Sequence, residues 1–132
     1  MSIYQVAKRA AALFVLCLIA TPSLADPMTG EELLALYSKD VTECGSYMYN
    51  AKLTPYCEHW RQDGTIVGKD HMMYRGNFHI KADDALVCKR YGSSSEYCVP
   101  IVHVSGDTYT TTFGDGSQAD VTIVEGDTKN LR

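Results

Sequence analysis

Four histidines, His59, His71, His79 and His103, are the side chains with which this chain could do acid–base chemistry or hold a metal, and Glu58 stands next to the first of them. Imidazole changes charge near neutral pH and is a common zinc ligand. Zinc, however, needs ligands converging at about 2 Å. If the surrounding segments are strands of a meander, His59, His79 and His103 fall on the second, fourth and sixth strands, on the non-core face. Alternate strands lie about 9–10 Å apart, too far for one ion. The expectation is therefore scattered surface histidines, no metal site and no catalytic set. The enzyme alternative is a small hydrolase-type activity using His59 or His79 with a carboxylate such as Glu58.

Beyond Cys17 the cysteines are Cys44, Cys57, Cys88 and Cys98, with 12, 30 and 9 residues between successive members. There is no C-x-x-C, and these spacings match no zinc finger or ribbon. An even number in a small exported domain reads as two disulfides, with three possible connectivities. Asp83-Asp84 and Asp115-Gly116 lack the D-x-[DN]-x-[DN]-G spacing of a calcium loop. The run Ser93 to Ser95 has no G-x-S-x-G elbow, and no phosphate-binding loop or dinucleotide fingerprint is present. No cofactor is expected. Nine tyrosines and one tryptophan are many for 132 residues. Most are expected to be cross-strand packing partners. Tyr47, Tyr49, Tyr56 and Trp60, close to the first cysteine pair, are the candidates for a recognition surface.

The setting for these residues begins with the first 25. Lys8 and Arg9 precede an apolar run over residues 10–20, Thr21-Pro22 breaks it, and Ser23-Leu24-Ala25 offers a cleavage site, the pattern of a secretory signal. Eleven apolar residues fall far short of the ~20 that span a bilayer. Export to the periplasm, or secretion, is expected, leaving one domain over residues 26–132. Loss of Lys8 and Arg9 leaves ten basic residues against sixteen acidic ones, taking the net charge from −4 to about −6. Such a surface repels phosphate backbones, so no nucleic-acid partner is expected.

Thr29 with Glu32 reads as a capping box, and Met28 with Leu33 as a staple, opening a helix that places Leu33, Leu34 and Tyr37 on one stripe and ends near Lys39. From there the period is two. A weak strand or loop covers 41–52, and clearer strands cover 54–61, 65–69, 75–81, 85–91, 97–104, 109–113 and 119–124. Turns are expected at Asp63-Gly64, Ala82-Asp83-Asp84, Gly106-Asp107 and Asp115-Gly116. The fold class is mainly β: an up-and-down antiparallel meander of seven to eight strands, closed as a small lipocalin-like barrel or left as a strongly curved sheet, with one short N-terminal helix.

Parity places Trp60, Phe78, Ile80, Leu86, Val102, Val104, Tyr109, Phe113, Val121 and Ile123 in the core. Cys88 shares parity with Leu86 and Cys98 with Val102, so both are expected inward. Cys57 is expected outward. A bridge from Cys57 to either inward cysteine would have to cross the sheet. The pairing that remains is Cys44–Cys57 and Cys88–Cys98, on opposite sides of the sheet.

The segments MTGEELLALYS, DGTIVGK, YRGNFHI, ALVCKRY, GDTYTTTFGDG and EGDTKNL together resemble a family of small exported proteobacterial proteins called domain of unknown function 995. The resemblance covers nearly all of residues 26–132, with Cys44 and Cys57 as additions to the common pattern. It implies a consistent fold and a periplasmic setting, and brings no activity and no site residues. The function expected is non-enzymatic binding of a small ligand or a protein partner. An inhibitor or immunity-type protein is a further alternative.

Overall fold

A computed structural model describes residues 25–132, so the segment read as a signal lies almost wholly outside the described residues. Helix α1 (Gly30–Leu36) is followed by nine strands: β1 (Val41–Tyr49), β2 (Lys52–Trp60), β3 (Thr65–Lys69), β4 (Met73–Lys81), β5 (Leu86–Tyr91), β6 (Tyr97–Val99), β7 (Val102–Ser105), β8 (Thr108–Thr112) and β9 (Gln118–Glu125). All belong to one antiparallel sheet in the order β6-β5-β4-β3-β2-β1-β9-β8-β7. Every chain neighbour is a sheet neighbour except β6 and β7, while β1 pairs with β9.

That one exception fixes the shape. Nine strands at about 4.8 Å spacing would put the edges of a flat sheet roughly 38 Å apart. Yet β6 and β7 are joined by Pro100-Ile101 alone, three Cα steps that reach at most about 11 Å. The sheet must curl until its edges meet, giving a half-barrel with a seam. Pro100 has no N–H to offer a ladder. It splits the single strand expected over 97–104 in two, which brings the count to nine. The segment before the helix is tied to the seam: the Met28 amide donates to the Ile101 carbonyl at 2.8 Å.

The helix closes one end of the curl. Its capping box is formed in both directions, Glu32 N–H to Thr29 Oγ1 at 3.2 Å and Thr29 N–H to Glu32 Oε2 at 2.8 Å. It is shorter than expected, ending at Leu36, and Leu34 is 51% exposed rather than part of the apolar stripe. Leu33 and Tyr37, one turn apart, carry the buried contact, with Leu36 packed beside them. The Tyr37 ring lies 5.2 Å from Trp60 and 5.6 Å from Phe78. Val41, Ile66, Val87, Ile101, Val121 and Ile123 complete the core.

Three expectations are corrected here. The 41–52 segment is a full strand plus a two-residue turn at Asn50-Ala51, both at positive φ (48° and 58°), which joins Tyr49 to Lys52. Val102 is half-buried and Val104 is 52% exposed, because His103, opposite Tyr109, takes the inward position on the edge strand β7, and Val104 sits at a register shift between His103 and Ser105. In β5 the inward row is Val87, Lys89 and Tyr91, so Leu86 and Cys88 point to the convex face. Cys88 lies opposite both His79 and Cys98, and Phe78 opposite Lys89. A buried lysine in the inward row had inverted the apparent parity.

Both disulfides therefore lie on the convex side, with the pairing expected: Cys44–Cys57 and Cys88–Cys98, each between directly opposed residues of a strand pair. They close loops with sequence separations of 13 and 10. In the chain-entropy account each is worth about 3 kcal/mol. Replacing Cys88 and Cys98 together by serine is expected to lower the unfolding free energy by about that amount with the slope against denaturant little changed, measured by urea unfolding of the oxidised protein.

Candidate functional site

The end of the half-barrel opposite α1 is open, and behind its mouth lies a cavity of about 520 Å³. Its walls are aromatic: Tyr47 and Tyr49 from β1, Tyr56 from β2, Tyr74 from β4, Tyr91 from β5, Tyr97 from β6 and Phe113 beyond β8. Alternation puts them there, since Tyr47 and Tyr49 are two apart on β1, as are Tyr56, Glu58 and Trp60 on β2. The rings meet edge to face, with centroids 5.8 Å apart for Tyr47–Tyr56 and for Tyr74–Tyr91, and 6.1 Å for Tyr56–Phe113.

Three of the charged residues that line the cavity are buried, Glu43, Glu58 and Lys89, while Asp70 and Arg75 stand at the rim. A buried carboxylate must be hydrogen-bonded to persist. Glu58 is held by four donor contacts. Trp60 Nε1 donates to Oε2 at 2.9 Å, Tyr74 to Oε1 at 2.9 Å, and Tyr91 to both oxygens at 3.0 and 3.1 Å. Tyr56 donates to Glu43 Oε2 at 3.0 Å. Glu43 Oε1 is sealed without a partner, as are Tyr37 Oη and Thr111 Oγ1.

Glycine makes the cradle possible. Gly68 stands between Glu58 and Tyr74 in one cross-strand row, and a Cβ there would come within 2.2 Å of the Tyr74 ring. The ring folds over the bare backbone to bring its hydroxyl to Glu58. Gly76 does the same for Tyr91, whose ring would lie 2.8 Å from an added Cβ.

Burial, followed by the repulsion of Glu43, pushes the Glu58 carboxyl up to about 7; the Lys89 charge and the tyrosine hydrogen bonds pull the other way. Burial, with these carboxylates beside them, raises the phenols of Tyr56, Tyr74 and Tyr91, and Tyr97 reaches about 12. Tyr56, Tyr74 and Tyr91 therefore stay neutral hydrogen-bond donors at any ordinary pH. At the mouth Tyr47 donates to Asp70, whose other oxygen takes the Met72 amide at 2.9 Å. Burial would raise Asp70, but these bonds outweigh it and hold the carboxyl low. The β3–β4 loop is thereby tied to β1, with the His71 ring stacked on Tyr49 at 5.2 Å.

Of the residues singled out from the sequence, Tyr47, Tyr49 and Tyr56 line the cavity. Trp60 does not offer a recognition surface: it is 1% exposed, packed beneath the cavity, and spends its N–H on Glu58. The histidines do not converge. His59 points to the convex face, where its ring bridges Asp40 Oδ2 (3.0 Å) and the Leu131 carbonyl (3.3 Å), with Asp127 at 3.6 Å. It is buried in a row with Thr42 and Val67 and pins the C-terminal segment, so it is neither a surface residue nor a partner of Glu58, which faces the other way. His103 lies opposite Tyr109 on the concave side rather than with His59 and His79, its ring 4.7 Å from that of Tyr109.

His79, Cys88 and Glu96 bring donor atoms within 4.8 Å of one another, but the Cys88 sulfur is committed to its disulfide and is no thiolate ligand. Glu43, Glu58 and Lys89 were missed as a set because charges in strands read as outward. The signal available was Glu58, which shares its parity with Trp60 and Tyr56.

Among the described residues no helix is long and apolar enough to cross a membrane. No protein-family model, curated protein or solved structure matches the chain.

Two outcomes test this site. The folded protein holds a proton on Glu58 that the unfolded chain has released above its ordinary 4.5. The stability this contributes is complete below pH 4.5 and is lost as pH rises through about 7. Thermal unfolding should therefore show a Tm that falls across that window in the parent and is flatter in Glu58→Gln. Gly68→Ala should destabilise by about 1–3 kcal/mol through overpacking and displace the Tyr74 ring, read as a shifted aromatic NMR spectrum.

Proposed function

We propose that this protein is an exported periplasmic binding domain whose aromatic cup takes up one small, mostly apolar organic molecule without chemical turnover. The observation that carries the reading is the cavity of about 520 Å³, concave, walled by tyrosine and phenylalanine, with a few polar groups collected below. Sites for small ligands have this size and composition. Rings already braced against one another and hydrogen-bonded to fixed carboxylates need little ordering when a ligand arrives.

Two disulfides are consistent with an oxidising compartment. The leader pattern over residues 1–25 supports the periplasm in particular. The family called domain of unknown function 995 remains the proposed home of the chain, on the segments quoted above. Capture of a protein partner is a second reading, favoured by the exposed apolar side chains of Met48, Leu53, Met72 and Met73 on the hairpins of β1–β2 and β3–β4.

Titration of the oxidised protein with the neutral dye N-phenyl-naphthylamine should give a saturable fluorescence rise at one dye per chain. Tyr49→Ala and Phe113→Ala should each weaken it several-fold to tenfold. A response that fails to saturate, or that neither variant changes, would remove the small-ligand reading. A stoichiometric protein partner lost on Met48→Asp or Leu53→Asp would put the second reading in its place.

A further inference from the structure

The polar groups around the cup are unequally satisfied. Both oxygens of Glu58 already accept hydrogen bonds, Glu43 Oε2 accepts from Tyr56, and Glu43 Oε1 is sealed off. The hydroxyls of Tyr47, Tyr56, Tyr74 and Tyr91 are spent as donors on carboxylates. Among the buried charged groups that line the cavity, Lys89 is the exception. Its side chain lies in the inward row between Phe78 and Tyr97, it is 2% exposed, and it lines the cavity. Its ammonium sits over the Trp60 ring at 5.1 Å and the Tyr97 ring at 5.8 Å. Among the described residues it has no hydrogen-bond acceptor and no carboxylate within 4.0 Å. It is also not among the sealed unpartnered atoms, so it opens on the cavity.

An ammonium carries three donors and no acceptor. Ring faces attract the charge but leave those N–H groups without lone pairs. Resting on the reading of the cup as a small-ligand site, we propose that Lys89 anchors the ligand, and that the ligand is an aromatic or similarly flat apolar molecule bearing an uncharged carbonyl oxygen. That oxygen accepts from Lys89 Nζ while the tyrosine walls hold the body. The hydrogen-bond accounting disfavours an amine ligand, because both Glu58 oxygens and Glu43 Oε2 already accept from tyrosine or tryptophan and Glu43 Oε1 is sealed. The charge count disfavours a carboxylate ligand, which would set a third anion beside Glu43 and Glu58 around the one buried cation, Arg75 being exposed at the rim.

The test compares three probes of one shape on the oxidised full-length protein by competition with the naphthylamine dye: acetonaphthone, ethylnaphthalene and naphthoate. Acetonaphthone should bind at least tenfold more tightly than ethylnaphthalene, the scale of one hydrogen bond to a charged donor. Naphthoate should bind more weakly than acetonaphthone at pH 8 and gain as the pH falls through 7. Lys89→Met should bring the ratio of ketone to hydrocarbon affinity close to one, whatever it does to both. The comparison within the parent protein stands even if that variant does not fold. Equal binding of ketone and hydrocarbon by the parent would overturn the role of Lys89 while leaving the cup as a binding site. Tighter binding of naphthoate at pH 8 would overturn the uncharged acceptor. Failure of all three with the dye still bound would overturn the ligand class, and failure of the dye as well would sink the cup reading itself.

Discussion

A carboxylate placed inside a protein demands donors, and most of the concave side of this half-barrel is arranged to meet the demand of Glu58. Three side chains from three strands reach it: Trp60 on its own strand, Tyr74 across β3 and Tyr91 from β5. Each must stand in the inward row at a set distance, so the register of β2 through β5 is coupled to one acid. Gly68 and Gly76 are needed because the rings have to cross backbone to arrive. Removing any one donor strands part of a buried charge, which costs more than the hydrogen bond itself contributes.

The polar interior and the apolar end divide the barrel along its axis. Toward α1 the inward side chains are Val41, Trp60, Ile66 and Val87, with Phe78 packed against them. Toward the mouth the same strands present Tyr47, Tyr49, Tyr56, Tyr74 and Tyr91. Tyrosine suits this half because its ring builds wall while its hydroxyl satisfies an acid. The β1–β9 ladder and the short link at Pro100-Ile101 bring those rings round to face one another. On an open sheet the same residues would form a flat aromatic stripe with no enclosed volume.

Much of the fold was legible in local pattern. The capping box at Thr29 and the hairpin at Asp63-Gly64 follow from turn chemistry. The cysteine pairing agrees with expectation although the parity behind it does not, since both bridges lie on the convex side. The turn at Asn50-Ala51 was not legible, since alanine gives no warning of positive φ. The inward row of β5 was misread because Lys89 looked like a solvent residue, which carried Leu86 and Cys88 to the wrong face, while Cys98 followed Val102 there. The site was hidden for the same reason. Alternation identifies a core by its apolar members, and here the inward face carries two glutamates and a lysine. Their burial becomes visible only when the hydroxyls that compensate them come from strands distant in sequence.

The two disulfides and the β1–β9 ladder make opposite demands on the order of assembly. Each bridge joins residues already opposed within one hairpin, with no more than 13 positions between them in sequence. Such contacts close quickly and need nothing from the rest of the chain. The pairing of Val41 with Glu125, by contrast, joins the first strand to the last and closes a far longer loop, which slows it. An oxidising environment can thus lock two registers while the curl is still open. Closing the sheet is then a choice among few arrangements, and the cup is the last part of the molecule to acquire its shape.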